Sequence, residues 1–145
     1  MNIIPEQTIE PITPETLLEK VREKKQQNWR LVQIGATRLP DQFQLTYSFD
    51  RQSRLVSLRL HLPANEPHVP SISSIYGCAI LYENELYDLF GITAEGLTVD
   101  FRGNFYQTAV KFPLGTAKVP APKPAPPAKA PAATPAPTVR ETFHE

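Results

Sequence analysis

Residues 70–92 read PSISSIYGCAILYENELYDLFGI, and this segment predicts a capped turn followed by a helix. Ser71 can cap a short helical turn with its hydroxyl group. From Cys78 onward, apolar side chains recur at spacings of three and four, the pattern of an amphipathic helix: Ala79, Tyr82, Leu86 and Leu89. Gly91 stands where a left-handed residue commonly ends a helix. We expect the rest of the domain to pack around this helix.

The other side of the predicted helix is acidic. Glu85 and Asp88 are three residues apart and therefore neighbours, and Glu83 lies on the adjoining strip. Carboxylates in the last turn meet the negative end of the helix dipole, which costs about 0.3–1 kcal/mol each when they are exposed. The acids therefore either form a solvated face or are compensated. Compensation could come from a basic residue of the same chain, from amides of a following loop, or from a basic surface on a partner.

The residues before this segment predict a helix and a meander of three strands. Thr13-Pro14-Glu15 is a helix start, and the helix should run to about Gln27 with few apolar positions: Leu17, Leu18 and Val21. The first strand leads through Ile34 to a break at Gly35, and residues 43–49 alternate cleanly between apolar and polar. The third strand, residues 55–62, has a basic exposed face: Arg54, Arg59 and His61.

The remaining segments complete a predicted α+β fold. Residues 1–12 predict an extended lead-in, and residues 97–112 predict a closing hairpin with its turn at Gly103-Asn104. We therefore expect a small antiparallel or mixed sheet packed with two or three helices over residues 1–117. Residues 118–145 are mostly proline, alanine and lysine, which predicts a disordered tail that cannot build a core. Val139–Glu145 could be a docking tag, although an unconstrained chain end is the simpler interpretation.

Composition excludes several classes of function. The 145 residues carry 15 basic and 15 acidic side chains, so no nucleic-acid binder that works by phosphate neutralisation is expected. No apolar run reaches the length of a spanning helix, and the start MNIIPEQ lacks the basic region of a signal peptide. The single Cys78 forms no internal disulfide, which favours a cytoplasmic location.

The chain also lacks the usual catalytic and cofactor-binding patterns. The histidines have no metal-ligand spacing with one another or with Cys78, and no glycine-rich phosphate loop occurs: His61, His68 and His144. Cys78 lies beside an apolar helix face and is expected to pack rather than to act as a nucleophile. The acids of the helix have no neighbouring group that would position a substrate. We therefore expect no catalytic, cofactor-binding or metal-binding residues in this chain.

One set of residues in the central segment follows a known family pattern: Pro70, Ser71, Ile72, Ile75, Tyr76, Ala79, Glu83, Glu85, Asp88, Leu89, Phe90, Gly91 and Ile92. The segment resembles the signature region of the complex I 30 kDa subunit family, which is the C-subunit family of NADH dehydrogenase. It is most similar to the short version found in energy-converting, membrane-bound nickel-iron hydrogenases. The resemblance is local, and Asn84 departs from it because the family usually has arginine there.

The resemblance implies a set of partner-interface residues: Glu83, Glu85, Asp88, Tyr82, Tyr87, Phe90 and Gly91. An arginine at position 84 would supply a permanent, bidentate positive charge. Because Asn84 cannot supply that charge, Arg54 and Arg59 are the predicted charge partners of the acids.

The resemblance also implies a function in assembly. The chain would be an accessory subunit without cofactors, not catalytic alone, in a membrane-associated, ion-translocating oxidoreductase complex. It would pack beside the catalytic large subunit and the iron–sulfur small subunit, which would carry the iron–sulfur clusters and the nickel-iron centre. The implied location is peripheral, on the cytoplasmic side of the cell membrane, with only indirect membrane contact through the complex.

Two classes of complex remain open. Members of the family in quinone-reducing complex I-type enzymes usually continue into a basic, His-Pro-rich segment, and Thr93–Gly115 contains none. This favours an energy-converting hydrogenase, which couples ferredoxin oxidation and H2 formation to ion translocation, over a quinone reductase. The rival from another class is an adaptor domain that its Pro/Ala/Lys tail tethers to an unrelated partner, and a stand-alone enzyme comes last.

Overall fold

A computed structural model describes residues 6–116 of the chain. Its elements in chain order are β1 Glu6–Pro11, α1 Leu17–Gln26, β2 Arg30–Arg38, β3 Gln42–Arg51, β4 Arg54–Pro63, β5 His68–Pro70, α2 Ala79–Phe90 and β6 Thr93–Glu95. The predicted tail and docking tag at residues 118–145 lie outside the described residues.

The main sheet has four strands in the order β1-β4-β3-β2. β2, β3 and β4 form the expected antiparallel meander, while β1 pairs with β4 in parallel. The alternation in β3 is confirmed, because its apolar side chains all point into the core: Phe43, Leu45, Tyr47 and Phe49. A strand whose faces alternate in this way must have one face against other elements. Both helices contribute buried side chains to the same core cluster, including Leu17 and Val21 from α1 and Leu86 from α2.

The α+β prediction is confirmed, but β1 was missed. Residues 6–11 were expected to be an extended lead-in, and the structure pairs them with β4. Lys24 of α1 connects this helix to β1. It is buried and forms an ion pair with Glu10 of β1 at 3.2 Å. Lys24 Nζ also lies 5.2 Å from the centroid of the Trp29 ring. Glu10 and Lys24 are 14 residues apart, so no local pattern predicts their ion pair.

Two element boundaries differ from the sequence prediction. Gly35 lies inside β2, opposite Thr46 of β3, and does not break the strand. β2 is an edge strand, and its register shift falls between Leu31 and Gln33, not at Gly35. α1 begins at Leu17, because Thr13 to Thr16 form a separate turn in which Thr16 Oγ1 donates to the Thr13 carbonyl at 3.1 Å.

The closing hairpin predicted for residues 97–112 is wrong. The short strand β6, Thr93–Glu95, precedes this region and pairs in parallel with β5 to make a second, two-stranded sheet. Residues 97–116 then follow a path of turns and bends. Their backbone amides bond to side chains instead of a second strand: Thr98 to Ser73, Phe101 to Asn84 and Tyr106 to Asp88. We call residues 97–116 the wrapping segment.

Candidate functional site

The carboxylate of Glu83 lies inside the protein, where it was expected at a surface. Its side chain is 0% exposed, and its two oxygens accept hydrogen bonds from Ser71 Oγ at 2.6 Å and from the Ile72 amide at 2.7 Å. The turn before α2 therefore delivers one hydroxyl and one backbone donor to a helix carboxylate. Ser71 Oγ also accepts from the Ser73 amide at 3.1 Å, which is the capping contact predicted for this turn.

Burial changes the acidity of this group. Removal from water raises the pKa of the Glu83 carboxyl above its ordinary value, and the hydrogen bonds from Ser71 and Ile72 lower it in part. Tyr47 of β3 is affected by the same surroundings. Burial, and secondly the negative charge of Glu83, raises the pKa of the Tyr47 hydroxyl. That hydroxyl is buried and has no hydrogen-bond partner among the described residues.

Asn84 connects α2 to the wrapping segment. Its Nδ2 donates to the Ile80 carbonyl at 2.8 Å and to the Val99 carbonyl at 2.9 Å, while its Oδ1 accepts from the Phe101 amide at 2.9 Å. A buried amide with both donors and its acceptor engaged is a well-satisfied group. The residue that departs from the family pattern therefore has a structural role in this chain, and that role uses an acceptor that arginine lacks.

Glu85 and Asp88 both hold Tyr106. The Tyr106 amide donates to Asp88 Oδ2 at 2.6 Å, and its hydroxyl donates to Glu85 Oε2 at 2.9 Å. The hydrogen bond to Glu85 raises the pKa of the Tyr106 hydroxyl. The sequence left open whether backbone amides of a following loop compensate the acids. Asp88 is compensated in this way, by the Tyr106 amide. The other oxygen of Asp88 is buried without a partner among the described residues.

The C-terminal end of α2 is closed by a glycine, as predicted. Gly91 has φ +76°, and a Cβ at this position would lie 3.0 Å from the Phe112 ring. The wrapping segment covers this end, since the Leu114 amide donates to the Leu89 carbonyl at 2.8 Å. Arg38 of β2 completes the closure by donating from Nε to the Gly115 carbonyl at 3.1 Å.

The three aromatic residues of the predicted interface set lie in different surroundings. Tyr82 donates its hydroxyl to the Val32 carbonyl of β2 at 2.9 Å. Phe90 meets Phe43 edge to face in the core, with 6.3 Å between the ring centroids, and Tyr87 meets Phe112 in the same geometry at 5.3 Å. These contacts attach α2 to the sheet and to the wrapping segment, and a partner role for these residues stays a prediction.

The predicted charge partners, Arg54 and Arg59, both lie on β4. Arg59 Nε donates to Thr46 Oγ1 on the neighbouring strand at 3.3 Å. Arg54 lies at the start of β4, paired with Arg51 of β3. Glu83, Glu85 and Asp88 take their hydrogen bonds from hydroxyls and amides rather than from Arg59. A role of Arg54 and Arg59 as charge partners of the acids stays a prediction.

Sequence reasoning missed the exposed apolar side chains of the wrapping segment: Val99, Phe101, Tyr106, Val110 and Leu114. We call these five residues the apolar surface. Leu81 of α2 is also exposed. The alternation of Leu97, Val99 and Phe101 had suggested a half-buried strand. In the structure, Asn84 of α2 hydrogen-bonds the Val99 carbonyl and the Phe101 amide, and the side chains of Val99 and Phe101 are exposed. The sequence feature that could have indicated these exposed side chains is the number of aromatic and aliphatic residues in the wrapping segment.

Residues 6–116 contain no group of three or more His, Cys, Asp and Glu side chains that could hold a metal ion. A polar cavity of about 370 Å³ adjoins α2, and the residues that line it include Glu83, Asn84 and Arg102. No helix in the described part of the chain is long and apolar enough to cross a membrane.

Comparison with known proteins shows the family. A family model described as "Respiratory-chain NADH dehydrogenase, 30 Kd subunit" matches residues 8–116. The C subunit of NADH-quinone oxidoreductase from Sinorhizobium medicae is 34% identical over 83 residues, which are 52% of this chain and 41% of the relative. NADH-quinone oxidoreductase subunit 5 of Thermus thermophilus is 31% identical over 64 residues, 39% of this chain and 31% of the relative. The matched parts thus span less than half of these relatives.

Two solved structures share the fold. One is a chain in the structure of the membrane-bound sulfane sulfur reductase (MBS), described as an archaeal respiratory membrane complex, with a TM-score of 0.61 and 20% identity. That match covers 70% of this chain and 64% of the other. The second is a trypsin-resistant fragment of Nqo5, with a TM-score of 0.56, 24% identity and coverage of 63% and 80%. Since the family model spans most of the chain, from residue 8 to residue 116, the protein belongs to the family of the respiratory-chain NADH dehydrogenase 30 Kd subunit.

Proposed function

We propose that this chain is an accessory subunit of a membrane-associated respiratory oxidoreductase complex, and that its function is assembly. In this proposal it carries no cofactor, is not catalytic alone, and packs beside a large catalytic subunit and an iron–sulfur small subunit. Those partners hold the iron–sulfur clusters. The chain sits peripherally at the cytoplasmic face of the membrane and contacts the membrane only through the complex. The observation that carries the proposal is family membership over residues 8–116.

The geometry around α2 supports a role in binding rather than catalysis. Glu83 is sealed inside the protein, and Glu85 and Asp88 hold the wrapping segment in place. The wrapping segment exposes the five side chains of the apolar surface to solvent. Exposed aromatic and aliphatic side chains concentrated in one segment are typical of protein interfaces. We therefore assign the apolar surface to the contact with the large subunit.

Within this class, the narrower proposal is an energy-converting nickel-iron hydrogenase that couples ferredoxin oxidation and H2 formation to ion translocation. The feature that favours it is the composition of Thr93–Gly115, which contains no basic His-Pro-rich run. A quinone-reducing complex I-type NADH dehydrogenase is the second candidate. It is favoured by the names of the curated relatives, which belong to NADH-quinone oxidoreductases.

Purification from the native membrane tests the proposal. The full chain, tagged and expressed at its native level, would be captured from membranes in mild detergent, and the captured subunits identified by mass spectrometry. We expect a large subunit and an iron–sulfur subunit in equal amounts with the chain. Nickel in the sample and H2 formation from reduced ferredoxin would indicate the hydrogenase, and NADH:quinone activity without nickel would indicate the second candidate. A chain recovered alone, or with unrelated proteins, refutes the assembly function.

A matched pair of surface variants tests the assigned contact. Val110 on the apolar surface and Ile9 on β1 are exposed to almost the same extent, 53% and 54%. Val110→Asp should sharply reduce recovery of the large subunit, because it places a charge in an apolar contact, and Ile9→Asp should leave recovery unchanged. Equal recovery with both variants would remove the apolar surface from the interface.

A further inference from the structure

Asp88 leaves one carboxylate oxygen unsatisfied inside the protein. The residue is 6% exposed, and Oδ2 accepts from the Tyr106 amide, but Oδ1 is buried without a hydrogen-bond partner among the described residues. Asp88 borders a cavity of about 60 Å³ between the last turns of α2 and the wrapping segment. A Cβ added at Gly103, on the wall of this cavity, would lie 3.9 Å from Oδ1. We call this space the Asp88 pocket.

Buried carboxylate oxygens without partners are uncommon, because burial removes their hydrogen bonds to water and no hydrogen bond within the protein replaces them. The ion pairs in residues 6–116 engage acids on other elements, namely Glu10, Glu23 and Asp50. Lys111 borders the pocket, but its Nζ lies over the Phe112 ring, 4.9 Å from the centroid, and makes no ion pair with Asp88. Asp88 thus borders the pocket without an ion-pair partner among residues 6–116.

The chemistry of the pocket favours a basic side chain over other occupants. A metal ion would need several oxygen or nitrogen ligands, and residues 6–116 provide no such group. A water molecule would fit the volume but would leave the negative charge uncompensated. The walls include the aromatic rings of Tyr87, Tyr106 and Phe112, whose faces attract cations. Tyr106 is also part of the apolar surface, so the pocket and the exposed apolar side chains lie on one segment.

We propose that the Asp88 pocket receives the cationic end of a lysine or arginine side chain from the large subunit that binds the apolar surface. This inference rests on the proposed function, because it names the contact that a partner makes at that interface. The incoming cation lies against the Asp88 carboxylate and balances its charge, while Oδ2 keeps its hydrogen bond from the Tyr106 amide. The rings of Tyr87, Tyr106 and Phe112 border the same space and shield the pair from water. Glu85, which lies nearby on α2, has its own partner in the Tyr106 hydroxyl and stays outside the pair.

The decisive variant is Asp88→Asn, with Glu19→Gln, at an exposed position on α1, as its control. Asparagine can still accept from the Tyr106 amide, but it places an amide donor where Oδ1 was and removes the charge. The tagged full chains would be captured from native membranes as above, and the recovered large subunit measured over a salt titration. Breaking a buried charge pair typically weakens binding by roughly thirtyfold or more. We expect such a loss for Asp88→Asn and a loss of less than about threefold for Glu19→Gln, whose exposed charge lies on another element.

Two further measurements separate the outcomes. Lys111→Gln should leave recovery of the large subunit unchanged or raise it. It removes a positive charge from the lining of the pocket, and this charge would repel the partner's cation. The melting temperature of the purified Asp88→Asn chain should equal or exceed that of the wild type, because an unsatisfied charge is gone. If Lys111→Gln and Asp88→Asn lower the melting temperature equally and leave recovery intact, Lys111 is the partner of Asp88 and the proposal is refuted. If the wild type captures the large subunit and Asp88→Asn does so equally well, the pocket proposal fails while the assembly function stands.

Discussion

Replacing Glu83 with glutamine should remove a pH dependence from the folding stability of this protein. Burial raises the pKa of the folded carboxyl above the ordinary value of 4.5, so between these two values the folded state binds more protons than the unfolded state. The contribution of Glu83 is therefore fully present below pH 4.5 and is lost as pH rises through the raised pKa. Each tenfold difference in proton affinity between the two states is worth about 1.4 kcal/mol.

The size of the effect follows from the hydrogen bonds of Glu83. Glutamine can accept from the Ile72 amide and donate to Ser71 Oγ, while the Ser71 hydroxyl turns to Ser73 Oγ, 2.7 Å away. We therefore expect Glu83→Gln to equal or exceed the wild type in stability at pH 7. Glu83→Ala leaves the Ile72 amide unsatisfied and opens a cavity, which together should cost about 2–5 kcal/mol. In a domain of this size that loss lowers the melting temperature by roughly 8–20 °C.

The assay is urea unfolding of the full chain at a series of pH values from about 4 to 8, the range that brackets a raised carboxyl pKa. Unfolding is followed by the fluorescence of the single tryptophan, Trp29. The wild type should lose stability relative to Glu83→Gln as pH rises. Glu85→Gln, at a partly exposed position on the same helix, should keep the wild-type profile. Parallel profiles for the wild type and Glu83→Gln would refute the assignment of a raised pKa, and a wild type that gains stability relative to the variant with rising pH would reverse its sign.

Three other substitutions test single contacts. Asn84→Ala should cost about 2–3 kcal/mol, since it leaves buried backbone groups of the wrapping segment unpaired, and proteolysis of that segment should become faster. Gly91→Ala should cost about 1–2 kcal/mol, because Gly91 has φ +76° and a Cβ there meets the Phe112 ring, whereas Gly77→Ala meets nothing within 4 Å and should be close to neutral. Tyr47→Phe should stabilise the protein by up to about 1 kcal/mol by removing a hydroxyl without a partner among the described residues.

Each of these results can contradict the structure. An Asn84→Ala protein with unchanged proteolysis would show that the wrapping segment is held elsewhere. Equal losses at Gly91 and Gly77 would mean that the left-handed cap is not the reason for glycine. A destabilised Tyr47→Phe protein would reveal a partner for that hydroxyl.

Much of the fold could be predicted from local patterns. The alternation over residues 43–49 predicted β3, because a strand in a half-buried sheet must place every second side chain in the core. The apolar positions Leu17 and Val21 predicted the buried side of α1, and Gly91 predicted the end of α2. These features depend on residues close in sequence, so periodicity and capping carry their signal.

Pairings between distant segments had no such signal. β1 was missed because its partner β4 lies far along the chain, with Glu6 opposite Arg54, and its own sequence is polar and proline-flanked. The hairpin at residues 97–112 was predicted wrongly for the related reason that alternation was taken as strand pairing. In the structure, side chains of α2 and of the preceding turn bond the amides that a hairpin would have used.

The surroundings of the acids of α2 depend both on local patterns and on contacts between distant segments. The order of residues was enough to place Glu83, Glu85 and Asp88 in one helix, with Asp88 in its last turn, and to require that something compensate them. That Glu83 and Asp88 point inward became apparent only from the folded chain. Charged side chains are placed in solvent by default because burial costs them their hydration. That cost is offset here by donors from residues 11 to 18 positions away, the Ile72 and Tyr106 amides and the Ser71 hydroxyl, which reach the helix only when the whole chain is folded.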